Sequence, residues 1–199
     1  MSAFIKKVCE PTLFKQPEFW GTLAAEFAFQ YSWTGWMIYL VPYARSIGLS
    51  PYQATSLSSA GGFGSLIGTV AIIFLLKTSR NLITILTLLL LIAGCSLEVY
   101  PFSTSLHVLM TASFTFGLAE NAGLVAILSM SKSLDGELSQ AVSFLFLASA
   151  LGRLSAGFFT GWIHDSTNSY DISFTVLGGV LLLAAIIFGA LLMIQKNSQ

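Results

Sequence analysis

The chain has 199 residues, of which 55% are hydrophobic and only 9% are charged, and its formal net charge at pH 7 is zero. A soluble globular domain typically carries about 25% charged residues, so this composition excludes an ordinary soluble domain. We therefore expect an integral membrane protein that uses the lipid bilayer as its solvent.

Six apolar runs are long enough to form transmembrane helices, since a spanning helix needs about 20 mainly apolar residues. The runs cover residues 19–43, 51–77, 82–99, 104–131, 138–163 and 171–194. Together they predict an all-α transmembrane domain over residues 19–194, preceded by a tail (1–18) and followed by a stub (195–199). Neither end is long enough for a soluble catalytic or nucleic-acid-binding domain, so we expect no nucleic-acid partner.

Basic residues predict the orientation of the chain, because cytoplasmic loops are enriched in Lys and Arg. If the N-terminus is cytoplasmic, only Arg45 falls in an outer loop, and Arg153 lies inside the membrane. Both termini are therefore expected in the cytoplasm, and we favour the plasma membrane over internal membranes. The remaining basic residues all lie on the cytoplasmic side: Lys6, Lys7, Lys15, Lys77, Arg80, Lys132 and Lys196.

The six runs show a pattern that repeats after the third. The first and fourth each carry an acid, Glu26 and Glu120; the second and fifth are rich in small residues; the third and sixth are aliphatic. Because three spans is an odd number, the second triplet enters the membrane from the opposite side. This predicts a 3+3 inverted repeat of the kind found in secondary transporters, with chance similarity among apolar helices as the alternative.

Small residues at four-residue spacing mark one face of the second run and one face of the fifth. They are Ala60, Gly64 and Gly68 in the second run and Gly157 and Gly161 in the fifth. Such stripes let membrane helices approach closely, so we expect each to pack against a neighbouring helix. The packing could be static or could permit sliding.

Three ionisable residues fall within the hydrocarbon zone, where each charge costs at least about 2.5 kcal/mol and usually faces the bundle interior. At about 1.5 Å per residue from the cytoplasmic side, Glu26 lies roughly 10 Å deep, Glu120 roughly 16 Å and Arg153 roughly 22 Å. These depths predict that Glu120 and Arg153 can meet, whereas Glu26, with Gln30 one turn further, is too shallow to join them. Arg153 shares an inward stripe with Ser149, Ala156 and Thr160.

Two interpretations of Glu120 and Arg153 remain open. They could form a structural ion pair. Alternatively, Arg153 could bind an anionic substrate or gate a cavity, while Glu120 exchanges a proton once it is removed from water. Direct pairing predicts that exchanging the two charges restores what each single substitution loses.

Three stretches resemble monocarboxylate-transporter-like members of the major facilitator superfamily. YLVPYARSIGLSPYQATSLSSAGGFGSLIG (Tyr39–Gly68) is similar to the seventh and eighth helices of that family, with the loop between them. GWIHDSTNSYD (Gly161–Asp171) resembles the end of the eleventh helix, and LFKQPEFW (Leu13–Trp20) resembles the exit from the central cytoplasmic loop. The order is kept over nearly the whole chain, so the resemblance is to the C-terminal half.

The resemblance implies a carrier of small organic anions or related metabolites that works by alternating access around a central cavity. A second six-helix half would have to come from another chain, from a second copy, or from the rest of a full-length product of which this sequence is a fragment. No cofactor is implied beyond possible proton coupling. We do not expect an integral membrane enzyme, because the sequence shows no intramembrane His cluster, no nucleophile motif and no acid pair on one helix. The polar residues that could line the cavity are Glu26, Gln30, Ser65, Thr69, Glu120, Asn121, Ser149 and Arg153.

The chain also departs from the family pattern. Ser65 and Thr69 fall where proton-coupled members carry an Asp and an Arg, and Glu120 falls at the position of an aromatic residue. Ala156 and Gly157 replace a Gly-Pro turn. These departures leave a second hypothesis open, in which the chain is a truncated, non-transporting membrane protein that binds or regulates a partner carrier.

Overall fold

The structure is a computed structural model that describes residues 12–78, 81–134 and 138–197, with side chains described as far as Leu191. The described chain is helical throughout, which confirms the all-α prediction. Two short 3-10 helices, Leu13–Lys15 and Tyr100–Phe102, accompany six long helices. The long helices are α1 (Pro17–Ser46), α2 (Pro51–Thr78), α3 (Leu82–Glu98), α4 (Leu106–Ser131), α5 (Leu138–Thr167) and α6 (Tyr170–Asn197).

Five of these helices, α2 to α6, are long and apolar enough to cross a membrane; α1 does not meet that measure. Helix α1 is 30 residues long, but it carries Glu18, Glu26, Gln30 and Arg45. The other differences from the sequence prediction are at helix ends. Helix α1 begins at Pro17, because a proline in the first turn gives up only an N–H that has no helical partner.

The six helices pack in a regular set of pairs. The most extensive contacts join α2 with α4, α3 with α6, and α1 with α5; those of α3 with α4 and of α1 with α6 follow. By contrast, α4 and α5 touch only slightly. Helix α1 is therefore the main neighbour of α5, which determines the side chains that Arg153 can reach.

Glycines form the contact between α2 and α4. A Cβ atom at Gly64 would overlap the carbonyl oxygen of Phe114, and one at Gly68 would overlap that of Leu118. The predicted stripe therefore packs as expected at Gly64 and Gly68. It is completed by Gly61, which meets Gly117 of α4, rather than by Ala60, which is only half-buried.

On α5 the predicted packing is found at Gly161 but not at Gly157. A Cβ atom at Gly157 would meet nothing within 4 Å, so this structure gives Gly157 no packing partner in the described part of the chain. Gly161 is approached by the hydroxyl of Tyr39. A further close contact, with backbone, is made at Gly152, where a Cβ atom would lie 2.7 Å from the carbonyl oxygen of Phe27 on α1.

Several buried aromatic side chains around Tyr100 connect the helices at the ends that are predicted to face outward. The indole Nε1 of Trp36 donates a hydrogen bond to Tyr100 Oη at 2.9 Å, and this hydroxyl lies 2.7 Å from Ser113 Oγ. The hydroxyl of Tyr43 donates to the Tyr100 carbonyl oxygen, and the ring of Phe174 stacks on Tyr100 with centroids 4.5 Å apart. These contacts link α1, α4 and α6 through one side chain.

Candidate functional site

A cavity of about 450 Å³ opens between α1, α4 and α5. Four polar side chains lie on its wall: Glu26 and Gln30 from α1, and Ser149 and Arg153 from α5. The rest of the wall is apolar and consists of Leu124, Leu128, Val142, Leu145, Phe146 and Ala150. An apolar chamber with a few convergent polar groups is the usual form of a small-molecule site.

The polar residues of this cavity form a chain of hydrogen bonds that ends on the guanidinium. Gln30 Nε2 donates to Glu26 Oε1 at 3.1 Å, and Arg153 Nε donates to Gln30 Oε1 at 2.8 Å. Glu26 and Gln30 are 7% and 3% exposed, whereas Arg153 is exposed. Ser149 is buried beside the carboxyl group of Glu26. The arginine is therefore anchored at one edge and open at the other.

Gly152 allows this chain of hydrogen bonds to form. Because it lacks a Cβ atom, α5 approaches the backbone of α1 at Phe27, and a Cβ at this position would also lie 3.2 Å from Gln30 Cβ. The residue that follows, Arg153, is thereby placed within reach of the Gln30 carboxamide. Sequence analysis did not identify Gly152, since it falls outside the four-residue spacing of Gly157 and Gly161.

The structure corrects the prediction that Glu26 is too shallow to join the other charges. Gln30 extends the polar face one turn along α1, and the long arginine side chain bridges the remaining difference in depth. Counting residues from the membrane surface measures the position of the Cα atom. A side chain with several rotatable bonds can reach across more than one helical turn.

Glu120 is buried on α4, 3% exposed, and lies within electrostatic range of both Glu26 and Arg153. It does not form the direct ion pair with Arg153 that matched depths suggested: among the described residues, the one ion pair within 4.0 Å joins His164 and Asp165. Glu120 and Arg153 do not pair because α5 packs against α1 and makes only slight contact with α4. Glu26, Glu120 and Arg153 thus form a charged cluster, in which Glu120 makes no ion pair with the arginine.

Three other candidate residues lie away from this cavity. Ser65 donates a hydrogen bond to the carbonyl oxygen of Gly117 at 3.2 Å, so it supports the contact between α2 and α4. Thr69 donates to the Ser65 carbonyl within its own helix. Asn121 is half-buried on α4 and is not part of the cavity wall. The hydroxyl groups of Ser65 and Thr69 thus bond to helix backbone and are not part of this cavity wall.

The inward stripe of α5 is confirmed, since Ala156 and Thr160 are both buried and Ser149 and Arg153 face the cavity. The apolar wall residues on the same helix were missed. Val142, Leu145 and Phe146 precede Ser149 at helical spacing, and that periodicity could have identified them. In the part of the chain that the structure describes, no group of three His, Cys, Asp or Glu side chains is placed to hold a metal ion.

The amino-acid sequence of the chain is similar to those of membrane transporters. No protein-family model matches the chain. Monocarboxylate transporter 12 of Rattus norvegicus is 29% identical over 159 residues, which is 76% of this chain and 32% of the relative. The proteins of the same name from Xenopus laevis and Homo sapiens are 27% identical over 188 and 164 residues, covering 89% and 80% of this chain. The chain spans 32–40% of the length of these relatives, and over most of its own length it resembles monocarboxylate transporters.

Proposed function

We propose that the chain is half of a membrane carrier that moves a small organic anion, or a related metabolite, by alternating access. The observation that carries the proposal is Arg153, a cation on the wall of a cavity that is otherwise largely apolar. A guanidinium presents several donors in a fork that matches a carboxylate group. Leu145, Phe146 and the other apolar wall residues would surround the carbon skeleton of the substrate.

The pattern of helix contacts supports the inverted repeat that such carriers use. If each helix of the first triplet is exchanged with its counterpart in the second, the pair α2 and α4 becomes α5 and α1. In the same way, the pair α1 and α6 becomes α4 and α3, and the pair α3 and α6 is unchanged. Each of the five most extensive contacts thus maps onto one of the same five. A pseudo-twofold relation between the triplets explains this symmetry, whereas chance similarity does not require it.

A second six-helix half is part of the proposal, because the cavity is open on the side of Arg153. Helices α2 and α5 also present large apolar side chains that nothing in the described chain covers: Phe63, Leu66, Val70 and Phe74 on α2, and Leu147, Leu151, Leu154 and Phe158 on α5. Lipid would cover part of these faces. We propose that a second six-helix half covers the rest, supplied by a second copy of this chain, by another chain of similar fold, or by the remainder of a longer product.

We further propose that both termini lie in the cytoplasm and that the chain resides in the plasma membrane. The distribution of basic residues supports the orientation. Labelling Cys9 with a membrane-impermeant thiol reagent tests it. In a Cys95→Ser background, which removes the other, exposed cysteine, Cys9 should react in permeabilised cells only, and reaction in intact cells would place the N-terminus outside.

Uptake into proteoliposomes tests the carrier function. The purified chain is reconstituted, and uptake of radiolabelled pyruvate and other monocarboxylates is followed with and without a pH gradient. We expect saturable uptake that Arg153→Gln lowers at least tenfold, because a buried anion loses its counter-charge. Arg45→Gln, at the end of α1 and outside the cavity wall, is the matched control. Absence of saturable uptake, or equal uptake by the Arg153 and Arg45 variants, would contradict the proposal.

The alternative function is that of a truncated membrane protein that binds or regulates a partner carrier without transporting. The uncovered faces of α2 and α5 are the observation that favours it. The native mass in detergent, corrected for bound lipid, separates the two functions. A particle of two 21.4 kDa chains supports a self-assembled carrier, whereas a stable single chain without transport activity supports the regulatory function.

A further inference from the structure

We propose that Glu26 and Gln30 are positioning residues, which hold Arg153 by its Nε edge so that its two Nη groups receive the anionic group of the substrate. This inference rests on the carrier function proposed above. It assigns a role to two buried α1 side chains that need not touch the substrate themselves.

The orientation of the Gln30 carboxamide is determined from both sides. A carboxylate can only accept hydrogen bonds and a guanidinium can only donate them. Glu26 therefore requires the NH₂ group of Gln30, and Arg153 requires its carbonyl oxygen, which is the arrangement found at 3.1 Å and 2.8 Å. Flipping the amide would place acceptor against acceptor and donor against donor. The Glu26 carboxyl group thus acts on the arginine as a hydrogen-bond acceptor, through one neutral amide.

The same contact decides which edge of the arginine is free. Guanidinium groups bind carboxylates side-on, through Nε and one Nη, or end-on, through both Nη groups. Since the Nε–H of Arg153 is bonded to Gln30, the end-on mode remains for a ligand in the cavity. A carboxylate that enters would meet two parallel donors whose direction is already set. Pre-orientation of this kind raises affinity because less freedom is lost on binding.

The anchor itself is rigid. Glu26 and Gln30 lie one turn apart on α1 and are both buried, and the backbone of α5 is held against α1 at Gly152. Ser149 lies beside the Glu26 carboxyl on the opposite helix. A flexible arginine side chain would lose rotational freedom about several bonds on binding a ligand. The side chain of Arg153 has already lost that freedom in the absence of ligand.

Exchange of the Arg153 Nε–H proton with water measures this anchor directly by ¹⁵N NMR. The arginines of the chain are Arg45, Arg80 and Arg153, so the Arg153 signal is identified by its loss in Arg153→Lys. In Gln30→Met, which keeps the length of the side chain and removes both hydrogen bonds, we expect exchange at Arg153 to be about tenfold faster, the effect of about one hydrogen bond. The Arg45 signal should not change.

Two further variants separate positioning from general destabilisation. Glu26→Gln keeps an acceptor for the Gln30 amide and should leave exchange within about twofold of the unsubstituted chain, whereas Glu26→Ala should raise it as Gln30→Met does. Ser32→Ala removes another buried hydrogen bond of α1, the one that Ser32 donates to the Leu177 carbonyl at 2.8 Å. It should destabilise the protein without altering exchange at Arg153. Equal exchange in Gln30→Met and the unsubstituted chain would overturn the inference.

Titration with sodium pyruvate then tests the consequence for the ligand. We expect pyruvate to shift the Nη signals of Arg153 more than its Nε signal, and Gln30→Met to weaken pyruvate binding about tenfold. In uptake, the same variant should raise KM with little change in kcat. If Nε shifts most, the end-on geometry is wrong even where transport depends on Arg153. If exchange behaves as expected but Arg153→Gln transports normally, the anchor stands and the proposed carrier function fails.

Discussion

Replacing Gly64 by alanine should destabilise the bundle, and the structure gives the size of the effect. The new Cβ atom would lie 2.9 Å from the carbonyl carbon of Phe114 and 3.0 Å from the amide nitrogen of Leu118, and it would overlap the Phe114 carbonyl oxygen. Carbon atoms in van der Waals contact are about 3.5–4.0 Å apart, so α2 and α4 would have to separate by up to roughly 1 Å. These are backbone atoms, which cannot rotate away as a side chain can.

The separation affects the most extensive helix pair in the structure. Overpacking of this kind typically costs 1–3 kcal/mol, and here the Ser65 hydrogen bond to the Gly117 carbonyl would be strained at the same time. We therefore expect Gly64→Ala to lower the free energy of unfolding by about 2 kcal/mol. Gly68→Ala should have a similar effect, since its Cβ would lie 2.9 Å from the Leu118 Cα and carbonyl carbon.

Gly62 provides the matched control on the same helix. A Cβ at Gly62 would meet nothing within 4 Å, so Gly62→Ala should change the free energy of unfolding by less than about 0.5 kcal/mol. Unfolding in mixed micelles of dodecyl sulfate, followed by the fluorescence of the chain's 4 tryptophans, gives the comparison. Equal stability of the Gly64 and Gly62 variants would refute the assignment of this glycine face to the α4 contact.

Three further predictions concern the network around Tyr100, the charged cluster and the cavity. Tyr100→Phe should cost about 1–3 kcal/mol in thermal unfolding, because the buried Trp36 indole and Ser113 hydroxyl lose their common partner. Exchanging the charges of Glu120 and Arg153 should not restore the uptake lost in each single variant, since the two side chains make no ion pair in this structure; full recovery would show that they pair directly. A cysteine replacing Ser149 on the cavity wall should react with a water-soluble thiol reagent in reconstituted protein, and resistance to the reagent would mean that water does not enter the cavity.

Much of the fold could be predicted from the sequence because the membrane leaves few options. Backbone groups in lipid must be satisfied within the helix, so each long apolar run becomes a helix whatever its intrinsic propensity. The stretch around Gly61, Gly64 and Gly68 illustrates this, since these glycines would weaken a helix in water and here lie within α2. Hydropathy was less informative for α1, whose interior polar residues belong to the cavity and lower its apolar character.

The candidate site was predicted less well, because it depends on which helices are neighbours. Sequence analysis identified Glu26 and Arg153 as charges that are costly in lipid, and Gln30 and Ser149 as polar residues on the same helix faces; all four line one cavity. It could not show that α5 packs on α1 rather than on α4, so it joined Arg153 to Glu120. Gly152, which sets the distance between α1 and α5, has neither charge nor regular spacing with the other glycines to mark it.

Gly152 and Arg153 show why close packing and chemistry occur together in this chain. In lipid, burial of apolar surface does not drive helices together, so small residues and polar contacts have to do so. At Gly152 the two backbones approach closely, and the hydrogen bonds from Arg153 to Gln30 and from Gln30 to Glu26 form beside the contact. The same contacts that join α1 to α5 therefore also orient the proposed anion-binding group. In the proposed carrier, a movement of α5 relative to α1 would have to disturb both together, and this would couple occupancy of the proposed site to the arrangement of the two helices.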